Sequence, residues 1–150
     1  MKALLINQQR SRPIDREIIL TLSNQILKHL NQSDSELSVL LVGNKKMQQL
    51  NSMYRGKNKP TDVLSFPADI PVHNAESDII LGDIVICIPR AEAQAEEYGW
   101  EFYEEISRLL IHGTLHLMGY DHELSESDAK KMIRKEQETM NAVKKMDQER

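Results

Sequence analysis

Three histidines fall within one short run, HGTLHLMGYDH, at His112, His116 and His122. Imidazole nitrogen is a good ligand for divalent transition metals, and zinc takes it at about 2.0–2.1 Å in near-tetrahedral geometry. A spacing of four puts His112 and His116 on one face of a helix, one turn apart. Gly119 lets the chain leave that helix in a left-handed turn, and Tyr120 and Asp121 carry it back so that His122 can face the same ion. Three protein ligands leave a fourth corner for water, which is the layout of a catalytic rather than a closed structural site. Zinc is the expected ion, and other divalent metals also accept imidazole. His29 and His73 have no such company and read as ordinary surface residues.

The elements that must position this cluster follow from periodicity. Phe102 to Met118 reads as the helix that carries His112 and His116, ended by Gly119. Met1 to Asn7 reads as a strand. Pro13 to Leu30 reads as an amphipathic helix, with Ile14, Ile18, Leu22 and Ile26 at intervals of four, Ile19, Leu27 and Leu30 widening the stripe, and Pro13 in the first turn. Glu36 to Val42 is a strand, Lys45 to Tyr54 a short helix and Val63 to Phe66 a brief strand after a Pro60-Thr61-Asp62 turn. Asp69 to Ser77 is a polar loop, and Ile79 to Ile88 a central strand. Arg90 to Tyr98 is a helix, Trp100 anchors the start of the next, and a last helix opens on the capping pair Ser125 and Asp128 and runs to about Val143. The expectation is an α+β fold: a small mixed sheet packed with about five helices around a zincin-like three-histidine site, in one domain spanning residues 1–150.

Composition narrows the functional classes. No run approaches the roughly 20 apolar residues of a membrane span, and MKALLINQQR is too short and too soon polar for a secretory signal. The lone Cys87, in an apolar run, reads as a small buried hydrophobe. A soluble cytoplasmic protein is expected, with neither membrane nor DNA as partner. The net charge of −4 divides unevenly: residues 45–61 hold Lys45, Lys46, Arg55, Lys57 and Lys59 and no acid, whereas residues 62–122 hold twelve acids and two bases. That basic segment could hold a polyanion locally, although charge alone fits a solvated loop equally well.

The histidine spacing resembles the H-E-x-x-H-x-x-G-x-x-H pattern of metzincin proteases, with Gly113 where the protease has its general base. Without that carboxylate the peptidase chemistry is in doubt. More specifically, HGTLHLMGYDH resembles the signature of the YbeY family of single-strand-specific endoribonucleases, also called ribosomal RNA maturation factors. NSMYRGKNKPTDVLSFP at residues 51–67 and LGDIVIC at residues 81–87 resemble its other blocks, in the family's order. The resemblance implies a compact α+β fold, one zinc ion held by His112, His116 and His122, and RNA hydrolysis tied to 3′-end maturation of small-subunit ribosomal RNA and to ribosome quality control. It implies an essential role for Arg55, and a ribosomal protein and ribosome-assembly GTPases as partners.

Arg55 and His112 are therefore the expected catalytic residues, and Arg55, Lys57 and Lys59 the expected substrate-binding ones. A guanidinium can grip two phosphate oxygens and stabilise charge developing at phosphorus. Tyr54 is suited either to stacking on a base or to core packing. Asp121 is suited to orienting a histidine, transferring a proton or capping the turn, with an orienting or structural role favoured. Two other readings stay open: a metal-dependent hydrolase of another class, such as a protease, and a non-catalytic ribosome-assembly factor with structural zinc.

Overall fold

The computed structural model describes residues 3–68 and 79–148. The expected polar loop, His73 and the first two residues of the expected N-terminal strand lie outside them. Strands β1 (Ala3–Asn7), β2 (Ser35–Val42), β3 (Val63–Pro67) and β4 (Ile79–Cys87) form one sheet in the order β1-β2-β4-β3. β1 and β4 run parallel to β2, and β3 pairs antiparallel to β4. The mixed α+β architecture expected from the sequence is present, with helices α1 (Arg16–His29), α2 (Asn44–Arg55), α3 (Ile88–Tyr98), α4 (Phe102–Leu117) and α5 (Glu126–Gln148). No helix among the described residues is long and apolar enough to cross a membrane.

Alternation along the strands sorts the side chains into two layers. Leu37, Val39 and Leu41 of β2 and Ile84 and Ile86 of β4 point toward α1, α4 and α5 and form the main core. Val85 and Cys87 point the other way, to Met47 of α2 and Leu64 of β3. Cys87 is fully buried, as its apolar surroundings predict; burial pushes its thiol pKa up, and its Sγ lies 3.2 Å from Asn44 Oδ1.

Several boundaries move for identifiable reasons. α1 begins at Arg16, not Pro13: the Asp15 carboxylate accepts from the Glu17 N–H at 3.1 Å, and the Asp15 N–H donates to the Tyr103 hydroxyl at 2.9 Å. Its buried stripe is Ile19, Leu22, Ile26, Leu27 and Leu30, with Ile14 packed against it partly buried; of the expected stripe only Ile18 is exposed. Ile88 opens α3 rather than closing β4, with Pro89 in the first turn. α5 starts where the capping pair predicts, since Asp128 N–H donates to Ser125 Oγ at 3.0 Å. It runs five residues past Val143, to Gln148.

α4 is the element that seats the histidines. Its Ile106, Leu110 and Ile111 are buried in the main core, each such burial contributing roughly 1.5–3 kcal/mol. Gly113 is where the helix meets the sheet: a Cβ there would sit 3.0 Å from Ile84 Cδ1. The helix backbone is also held from the side, by Ser65 of β3 donating to the Gly113 carbonyl at 3.3 Å.

Candidate metal centre and basic cleft

His112 and His116 stand one turn apart on α4, with their rings edge to face at 4.6 Å and their Nε2 atoms 3.1 Å apart. The chain then leaves the helix in a paired-hydrogen-bond stop. Gly119 N–H donates to His116 O and Tyr120 N–H to Leu115 O, both at 3.0 Å, and Gly119 takes φ 102°. Tyr120 packs against the core. This reversal brings the His122 ring to 5.6 Å from His112 and 5.4 Å from His116. One ring nitrogen from each histidine lies within 4.8 Å of the other two.

The sequence reading missed Glu136. This α5 residue places Oε2 at 2.7 Å from His112 Nδ1. A carboxylate so close takes the Nδ1 proton as a hydrogen bond and leaves Nε2 with its lone pair directed at the shared point. His112 Nε2 and His116 Nε2 already stand near the edge length of a tetrahedral nitrogen site, roughly 3.3 Å for ligands at 2.0–2.1 Å. The donor set therefore fits a divalent ion of zinc type. Burial, followed by the neighbouring His112 and His122, lowers the pKa of His116 and favours its neutral, ligating form.

These histidines floor a cleft of about 560 Å³, walled by β3 and the end of α2. Arg55 lines it, together with the carboxylates of Asp62, Asp121 and Glu123. Asp121 Oδ1 accepts from the Glu123 N–H at 2.8 Å, so Asp121 caps the local turn. Tyr54 is 61% exposed and meets Phe66 edge to face at 5.1 Å; it lines the cleft and is not a core residue. Met118 is half-buried against the main core.

Arg55 also borders a second cleft, of about 470 Å³, lined by Lys57, Lys59 and Arg90. Buried Asn51 shapes this basic loop: its backbone carbonyl accepts from Lys57 N–H at 3.3 Å and its side-chain Nδ2 donates to the Lys59 carbonyl at 2.8 Å. The Pro60-Thr61-Asp62 turn fixes the far side, with Asp62 Oδ1 accepting from Val63 N–H at 2.8 Å. Gln94 Nε2 donates to Asp62 Oδ2 at 3.3 Å and also to the buried Glu105 carboxylate, which accepts from Trp100 Nε1 at 3.1 Å. Lys45 and Lys46 line neither cleft.

Comparison with known proteins agrees with this architecture. The family model described as Endoribonuclease YbeY matches residues 4–144. A protein of that name from Persephonella marina is 44% identical, with 96% of this chain and 94% of the relative covered. One from a Sulfurihydrogenibium species is 45% identical, with 87% and 85% covered. The solution structure of TM1509 from Thermotoga maritima superimposes with a TM-score of 0.65 at 27% identity, over 94% of this chain and 88% of that one.

Proposed function

Because this chain belongs to the endoribonuclease YbeY family, we propose that it is a zinc-dependent endoribonuclease that cuts single-stranded RNA. Its proposed setting is the cytoplasm, in maturation of the 3′ end of small-subunit ribosomal RNA and in ribosome quality control, alongside a small-subunit protein and an assembly GTPase. The observation that carries the reading is the placing of three convergent imidazoles and one guanidinium on a single cleft.

His112, His116 and His122 hold the ion. Bound there, a divalent ion supplies a Lewis acid that polarises a phosphoryl oxygen and makes water more acidic. Arg55 binds phosphate oxygens and stabilises the added negative charge as phosphorus is attacked. His112 serves catalysis as a ligand: one ring nitrogen faces the shared point and the other is engaged by Glu136. Glu136 thereby fixes the ring and raises its basicity as a donor.

Among the described residues the metal-holding group has three members, and it opens on the cleft rather than onto a fourth protein ligand. That favours catalysis over a structural zinc. The protease reading loses ground at Gly113, whose position faces Ile84. The test combines metal analysis with cleavage of defined single- and double-stranded RNA by wild type, His116→Ala and Arg55→Ala. Full cleavage by rigorously purified His116→Ala protein would overturn the proposal.

A further inference from the structure

The histidine cleft has a charge problem as a site for RNA. Its protein groups include three carboxylates, Asp62, Asp121 and Glu123, against one guanidinium, Arg55. A divalent ion only brings that balance to neutrality. Attraction for a polyanion must come from beside it, and Arg55 lines both clefts, together with Thr61 and Asp62. The second cleft reverses the balance, with Arg55, Lys57, Lys59 and Arg90 against Asp62. Asp62 is common to both clefts, held by hydrogen bonds from Val63 and Gln94. The four cationic side chains make no ion pair among the described residues and are exposed.

Arg90 stands out within this group. It is the third residue of α3, a helix with no acid in its first turn. A cation there opposes the helix dipole, which favours negative charge at a helix N-terminus. Helix stability therefore gives no reason for an arginine at this place. Phosphate binding does, because a planar guanidinium can take two phosphate oxygens at once.

We propose that the cleft formed by Lys57, Lys59 and Arg90 is a phosphate-binding track. It holds RNA backbone flanking the scissile bond, with Arg90 as its anchor on α3. Arg55 joins the two clefts, so a strand gripped in the track passes directly into the histidine site. The proposal deepens the ribonuclease reading and rests on it.

The test measures kcat and KM for cleavage of a short single-stranded RNA by the metal-loaded protein over a series of salt concentrations. The variants are Arg90→Ala, Arg90→Glu and Arg90→Lys, with Lys28→Ala on α1 as the control. Losing one phosphate contact should flatten the plot of log kcat/KM against log salt by about 0.7. At low salt, KM should rise roughly three- to tenfold for Arg90→Ala and further for Arg90→Glu. The metal content and kcat stay as in wild type, Arg90→Lys recovers the salt slope, and thermal stability is equal or slightly higher. A merely structural arginine would instead lower stability and leave the slope alone. An Arg90→Glu protein with wild-type KM and slope, while His116→Ala is inactive, overturns the track and leaves the ribonuclease reading standing. A wild type that cleaves no RNA overturns both.

Discussion

The two clefts that meet at Arg55 are built on opposite plans. The histidine corner is fixed in detail: a helix seated on Ile84, a hydrogen-bonded chain reversal at Gly119, and a carboxylate 2.7 Å from His112. The basic cleft holds its backbone, through Asn51 and Asp62, but leaves its cationic side chains exposed and, among the described residues, without an ion pair. The difference follows from the tasks proposed for them. Metal ligation tolerates errors of a few tenths of an ångström. Attraction between lysine or arginine and a phosphate backbone acts over the Debye length, about 8–10 Å at ordinary salt.

Substitutions should separate the two plans. The largest effect belongs to His116→Ala, which removes a ligand: bound metal is lost in elemental analysis, and RNA cleavage falls below detection. Arg55→Ala comes next, with cleavage down about 10²- to 10³-fold, as for loss of a donor to developing charge, and with metal content unchanged. Arg55→Lys keeps the charge without the fork and recovers only part of that loss. If Arg55→Ala also sheds metal, the division between the clefts is wrong. Glu136→Gln tests the positioning of His112. Its metal affinity, read by competition with a chelator, should fall about 10- to 100-fold. A retained affinity would mean that the ring is held by packing alone.

Acid should also divide them, more weakly. The folded-state pKa of His116 lies below the ordinary histidine value, through burial and its two histidine neighbours. For a base depressed in this way, the folded chain favours the neutral form. Its contribution to stability is complete above the ordinary value and is lost as pH falls from there through the lower folded-state value. Protons compete with metal over the same range. Metal retained after dialysis at graded pH should therefore decline from roughly pH 6.5 downward. Among the described residues no histidine lines the basic cleft, and its salt-dependent contribution to KM should show no matching change.

The sequence made the histidine corner readable because its parts are local. Eleven consecutive residues hold three candidate ligands, a helical interval and the glycine that ends the helix. Glu136 lies 24 residues from His112, and its approach depends on how α5 crosses α4, which no period in the chain encodes. Arg90 is similar: a single cation after an apolar strand reads as solvated until the fold sets it beside Lys57 and Lys59. The start of α1 was obscured by competing signals. Pro13 suits a first helical turn, yet the Asp15 cap and its bond to Tyr103 set the boundary three residues later.

Gly113 acts as a spacer gauge for the histidine corner. With hydrogen as its side chain, α4 rests directly against Ile84 of β4, and that contact sets the height of His112 and His116 above the sheet. A Cβ here requires Ile84 to give by a few tenths of an ångström or the helix to lift, and lifting it would carry His112 and His116 away from His122. A glutamate at this position, as in the peptidase pattern, would add its whole side chain to that contact. The Ile84 side chain would have to give way for it, which ties the protease reading to a helix-to-sheet distance at Gly113.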